Sequence, residues 1–105
     1  MRIIRANRGG GKTTELVKES NREWKYIVCK DQQRLDVIIK TAELLGLDIP
    51  FPITVRELPI SSRSHIKSIL IDDFEDILPI FIGRSIDAVT TSCDIEEVCI
   101  RPIKG

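Results

Sequence analysis

The sequence has little from which to build a histidine-led site. His65 is its only histidine, which leaves a His-based zinc centre or a His-led catalytic triad without material; it reads as a polar loop residue. Cys29, Cys93 and Cys99 are odd in number and lack C-x-x-C spacing, so they read as reduced thiols rather than as a disulfide framework or a zinc site. No apolar run approaches the roughly 20 residues that a membrane span needs. No long apolar segment follows Met1, which predicts no secretory signal and a cytoplasmic location. Charge of one sign is also missing. Sixteen Lys and Arg balance sixteen Asp and Glu, which excludes a strongly basic footprint for nucleic acid and leaves a local patch open. A near-neutral chain has little charge to keep it monomeric, so self-association is mildly favoured.

Internal repeats, low-complexity tracts and Gly-, Ser- or Pro-rich linkers are absent too. The 105 residues fit one domain, 1–105, with a single central sheet and a few helices. Ile3 and Ile4 open a short buried strand ending near Ala6. Residues 12–20 are helix formers with Leu16 and Val17 inward, and residues 25–29 (KYIVC) read as a second strand. Asp31 is a helix N-cap, Leu35, Ile38, Ile39, Ala42 and Leu45 recur at helical spacing, and Gly46 suits the left-handed position past the helix end. Ile53 and Thr54 suggest a short strand. Thr54 and Glu57 have capping-box spacing, so a helical turn runs to Leu58 before Pro59. Residues 61–64 read as an exposed loop. Residues 68–72 (SILID) read as an inner parallel strand, apolar on both faces. Phe74, Ile77, Leu78, Phe81 and Ile82 form a helical stripe ending at Gly83, with Pro79 as a site of kinking. Residues 86–90 read as a fourth strand, residues 94–98 as a last helical turn and residues 99–103 as a final extended piece. Strands alternating with helices predict βαβ units, a parallel sheet and helices on both faces.

Three stretches carry chemistry. Ala6, Asn7, Arg8, Gly9, Gly10, Gly11, Lys12, Thr13 and Thr14 form the first. Three glycines let a backbone curl around an anion without a Cβ clash, and the N-terminus of the following helix adds N–H donors and a positive dipole end. Lys12 would reach the β- and γ-phosphates, and the Thr13 hydroxyl would ligate Mg²⁺. The segment matches G-x-x-x-x-G-K-[ST] except for Ala6 at its first position, a change worth on the order of 1 kcal/mol if that residue needs positive φ. A Gly-rich surface turn with an incidental lysine is the alternative. The second stretch is Ile69, Leu70, Ile71, Asp72 and Asp73, an apolar strand ending in two carboxylates. Asp72 would hold Mg²⁺ together with Thr13. Asp73 would polarise the attacking water or else cap the next helix, and Glu75 is an alternative base. The third is Ala88, Val89, Thr90, Thr91 and Ser92, where a hydroxyl such as that of Thr91 could bind the γ-phosphate or the attacking water, and Ser92 or Asp94 could instead cap a turn. Arg8 lies inside the loop and faces solvent or phosphate, while Arg63, Arg84 and Arg101 read as surface charge, with an arginine finger in trans as the other option. Trp24 and Tyr26 read as packing residues, with base stacking as the alternative.

The order of strand, phosphate loop, helix, strand, helix, acid-ended strand, helix and polar-ended strand resembles the additional-strand class of P-loop NTPases, which includes RecA-like and AAA+ ATPases. The resemblance covers about residues 2–92. It also extends to small bacteriophage-encoded P-loop ATPase domains, through brevity and the R-G-G-G-K-T-T-E-L run. It implies an α/β fold, a three-layer α/β/α sandwich on a mostly parallel central sheet of about four to five strands. The implied strand order is phosphate-loop strand, the 86–90 strand, acid-ended strand, Tyr26 strand. It implies ATP or another NTP as ligand, Mg²⁺ as cofactor and Mg-dependent hydrolysis, and with a phage origin the host cytoplasm as location. A nucleic-acid or protein partner, a homo-oligomer and no membrane association go with it. A non-hydrolysing nucleotide-binding module is the main rival, and a small-molecule kinase is disfavoured because no segment supplies a lid.

Overall fold

The computed structural model describes residues 1–7 and 11–98. Arg8, Gly9 and Gly10 of the glycine run, together with Cys99, Arg101 and the extended piece expected at 99–103, lie outside the described residues.

Alternation along one short strand organises the centre of the molecule. Strand β2 (Ile27–Cys29) is fully buried, and its successive side chains point to opposite faces. Ile27 and Cys29 pack with Leu16 and Val17 of α1 (Lys12–Glu23) and with Leu35, Ile38 and Ala42 of α2 (Gln32–Leu45). Val28 packs the other way, with Ile53 of β3 (Ile53–Thr54) and Ile77 of α3 (Phe74–Ile82). Strand β4 (Leu70–Ile71) lies on the far side of β2, giving the parallel order β3-β2-β4. The remaining two strands, β1 (Ile3–Arg5) and β5 (Ile95–Glu97), pair with each other in parallel as a separate two-stranded sheet. The fold is α/β, with three helices and short parallel strands in two small sheets.

Local sequence signals set most of the boundaries. Asp31 caps α2 by accepting a hydrogen bond from the Arg34 backbone N–H at 2.9 Å. Gly46 ends that helix at φ 66°, the left-handed conformation that only glycine adopts without strain. The Glu57 carboxylate accepts from the Thr54 N–H at 2.8 Å at the head of a 3₁₀ turn, Val55–Glu57. Helix α1 runs three residues beyond the expected end at Ser20. It closes where Trp24 turns left-handed (φ 52°) and the buried Ser20 hydroxyl donates to the Lys25 carbonyl at 2.6 Å.

Four expectations change. The single central sheet of four to five strands is replaced by the two small sheets, because β1 pairs with β5 rather than with the 86–90 stretch that was to join it to β4. Residues 86–90 are irregular: Asp87 and Ala88 are poor strand formers, and Ile86 and Val89 instead line a shallow hollow against Phe74, Leu78 and Pro79 of α3. Residues 95–97 are a strand rather than part of a helical turn. Their glutamates meet arginines across the pair, Arg2 with Glu96 and Arg5 with Glu97, each at 3.2 Å. Strand β4 is an edge strand among the described residues, and Ile71 is exposed, so it is not the inner strand its apolar run suggested. The expected neighbour relationship between the 25–29 and 68–72 stretches does hold, as β2 beside β4.

Candidate functional site

Strands β2 and β4 run parallel, so their carboxyl ends lie together, and α2 and α3 begin there. Helix α1 begins at the same place, since Lys12 and Thr13 of its first turn reach Asp73 and Arg34. Ligand sites in parallel α/β sheets form outside the carboxyl ends of strands. Gly11 makes the approach to α1 at φ 87°, a conformation in which a side chain would be strained. Its carbonyl accepts the first bond of the helix, from Glu15 N–H at 3.0 Å. The first turn of α1 carries Lys12 and Thr13, with Thr14 half-buried behind them.

Asp72 and Asp73 enter this place from β4. The Asp72 backbone N–H donates to the Val28 carbonyl at 2.9 Å, which extends the β2–β4 ladder to the residue itself. Its side chain is only 3% exposed. The chain then turns left-handed at Asp73 (φ 53°), a conformation that aspartate tolerates better than most residues, and α3 starts. No side-chain cap hydrogen bond forms from Asp73 to α3. Its Oδ1 instead pairs with Lys12 Nζ at 2.5 Å.

Arg34 joins the two halves. Its Nη2 donates to Thr13 Oγ1 at 3.0 Å and to Asp72 Oδ2 at 2.9 Å, while its Nε donates to the same Asp72 oxygen at 3.1 Å. Nη2 also lies 3.9 Å from Asp73 Oδ2. Two cations, two carboxylates and one hydroxyl from three elements thus form one cluster, joined by hydrogen bonds and ion pairs. Every buried side-chain polar atom among the described residues has a partner.

The electrostatics follow from burial. Burial pushes the Asp72 carboxyl above its ordinary range, and the hydrogen bond and charge of Arg34 recover only part of that shift. Burial acts the same way on Asp73, but the hydrogen bond and charge of Lys12, with Arg34 behind them, outweigh it and hold that carboxyl below the usual range. Lys12 is raised, chiefly by its hydrogen bond to Asp73, with smaller attractions from Glu75 and Asp72. For Arg34, burial works against the charge, yet Asp72 and Asp73 leave its affinity for the proton raised.

The structure therefore brings Lys12, Thr13, Asp72 and Asp73 together, with Glu75 exposed nearby at the start of α3. Asn7 is exposed just ahead of Gly9 and Gly10, whose positions, with Arg8, lie outside the described residues. Thr91 is exposed in irregular chain and accepts a hydrogen bond from Cys93 N–H at 2.9 Å, the turn-capping arrangement. Arg63 and Arg84 are exposed, and Arg84 donates to its neighbour's carbonyl, Gly83 O. Tyr26 packs on the second apolar cluster, and Trp24 is exposed at the end of α1.

Arg34 was not singled out by the sequence, although a signal was there. It stands three residues after the cap Asp31, in the first turn of α2, where the helix dipole disfavours a cation. A basic residue in that position calls for a fixed anionic partner, and Asp72 is that partner. No family model, no curated protein and no solved structure matches this chain.

The donor set suits a hard divalent ion. Thr13 Oγ1 and Asp72 Oδ2 both bond one nitrogen, so a hydroxyl and a carboxylate oxygen face a common point. Mg²⁺ takes oxygen ligands and is usually held by one or two carboxylates, with waters and substrate phosphates completing its shell. Among the described residues no cluster of three or more His, Cys, Asp or Glu side chains forms a cage for a metal. Any such ion at Thr13 and Asp72 would draw its remaining ligands from phosphate and water.

Proposed function

We propose that the chain is a minimal P-loop core that binds the triphosphate of ATP or another NTP with Mg²⁺ and hydrolyses it. What supports this is the meeting of Lys12 and Thr13 with Asp72 and Asp73. These are two stretches nearly sixty residues apart, brought to the carboxyl ends of parallel strands at the head of a helix that follows a glycine run. A Gly-rich surface turn with an incidental lysine has no reason to face two carboxylates, one of them buried. Helices packed on both faces of β2 support the three-layer reading of the core.

In this arrangement Lys12 exchanges Asp73 for phosphate oxygens. The N–H groups at the head of α1 receive the same anion. Thr13 and Asp72 hold Mg²⁺, which when bound would neutralise charge on the phosphates. Asp73, freed from Lys12, orients water. The catalysis is positioning and charge stabilisation.

A non-hydrolysing nucleotide-binding module is the second reading, and one observation favours it. The Asp73 carboxylate is engaged by Lys12 and held in its charged form, so it does not stand free to orient water. Titration with a fluorescent ATP analogue, with and without Mg²⁺, tests binding. Phosphate release, alone and with single-stranded or duplex DNA, then separates the two. Binding without release under every condition retires the hydrolase, and no binding retires both.

A further inference from the structure

Arg34 occupies the interval that the proposed metal would need. Its Nη2 is bonded at once to Thr13 Oγ1 (3.0 Å) and Asp72 Oδ2 (2.9 Å), and it faces Asp73 Oδ2 at 3.9 Å. A guanidinium nitrogen sits near 3 Å from its acceptors, whereas Mg²⁺ requires oxygens at about 2.0–2.1 Å. The two cations seek the same oxygens and cannot hold them together. Arginine is suited to such competition. It stays charged at every accessible pH, and its planar fork can leave a carboxylate for a phosphate without loss of hydrogen bonds.

We propose that Arg34 gates metal loading. In the ligand-free protein its guanidinium keeps divalent cations from the Thr13–Asp72 position, and it moves off when the oxygens of a triphosphate offer it an alternative partner. The second half rests on the nucleotide reading above; the first half concerns only Arg34, Thr13 and Asp72. Metal and triphosphate would then bind cooperatively, and metal alone would bind poorly. The gate also gives the buried Asp72 carboxylate a counter-charge whether or not a metal is bound.

The probe is Mn²⁺ without nucleotide, followed by loss of the paramagnetic resonance signal of the free aqua ion. Mn²⁺ accepts the same oxygen ligands as Mg²⁺. Arg34→Gln keeps hydrogen-bond donors but removes the charge, and it should bind Mn²⁺ at least tenfold more tightly than the parent. The double variant Arg34→Gln, Asp72→Asn should lose that gain. Equal Mn²⁺ affinity in the parent and a folded Arg34→Gln overturns the gate. Should Arg34→Gln fail to fold by circular dichroism, Arg34→Lys takes its place. Its single ammonium can serve Asp72 without spanning to Thr13, so a gain is again expected and parity again overturns the gate. A gain of metal affinity is not something that simple destabilisation produces. Mg-ATP binding to the parent, measured on the same preparation, keeps the two proposals apart. Its absence alongside the Mn²⁺ gain sinks the nucleotide reading alone, and its presence without the gain sinks the gate alone.

Discussion

Arg34 reaches from the first turn of α2 to a single oxygen of Asp72, with Nη2 at 2.9 Å and Nε at 3.1 Å, in a carboxylate only 3% exposed. Removing one partner of a buried ion pair is far more damaging than the pair is stabilising, because the other charge stays buried; such losses run about 3–5 kcal/mol. Arg34→Ala should therefore lower the denaturation free energy by roughly that amount. Urea unfolding checks this. Unchanged stability would mean that Asp72 finds another partner or is not charged.

Lys12 tests the phosphate role with less risk to the fold, since its pair with Asp73 is partly exposed. Charge-assisted hydrogen bonds contribute about 1.5–3 kcal/mol, so Lys12→Ala should weaken nucleotide binding by roughly 10- to 150-fold. A titration with a fluorescent ATP analogue gives the number. Parental affinity in this variant would remove the loop from the site.

Asp72→Asn keeps shape while removing the negative charge. Nucleotide affinity measured with Mg²⁺ and with a chelator should then differ little, whereas the parent should gain clearly from the metal. If the gain survives, the metal is held elsewhere.

Gly46→Ala isolates the cost of backbone conformation. The glycine sits at φ +66°, and an added Cβ would meet nothing within 4 Å. The loss should be about 1–2 kcal/mol, entirely from the left-handed backbone, and Gly46→Asn should lose less. Chemical denaturation midpoints for the two variants decide it.

Cys29 makes stability fall in alkali. Burial, with a smaller push from Asp72, raises its thiol from 9.0 to about 11. The folded proton affinity lies above the unfolded one, so the contribution is complete below pH 9 and disappears as pH rises through about 11. The amount at stake is on the order of 2 kcal/mol. Unfolding free energies between pH 8.5 and 11 should slope downward, and the slope should shrink in Cys29→Ala. In the native protein at pH 8, iodoacetamide should modify the half-buried Cys93 well before the buried Cys29.

How much was legible depended on distance along the chain. The Asp31 cap, the left-handed Gly46, the Thr54–Glu57 box and the helix head at Lys12 each rest on contacts within about four residues, so residue types alone carry them. The apolar run ahead of Asp72 and Asp73 also announced a strand ending in acids. Pairing between distant stretches was another matter. Nothing local says that residues 95–97 would join Ile3–Arg5, since a short glutamate-rich stretch fits a helical turn equally well until arginines stand opposite it. The 86–90 stretch shows the converse, a plausible strand that pairs with no other strand among the described residues.

By itself, the sequence determined the pieces: a glycine run leading into Lys12 and Thr13, a short strand tipped by Asp72 and Asp73, and helices whose ends are written in their caps. Only the tertiary structure decided that those tips converge, that Lys12 pairs with Asp73, and that Arg34 fills the gap between Thr13 and Asp72. The reason is physical. Caps and turns are settled by neighbours along the backbone, whereas a counter-ion for a buried carboxylate is chosen by whichever helix packing brings within 3 Å, and that choice exists only once the sheet and its helices are assembled.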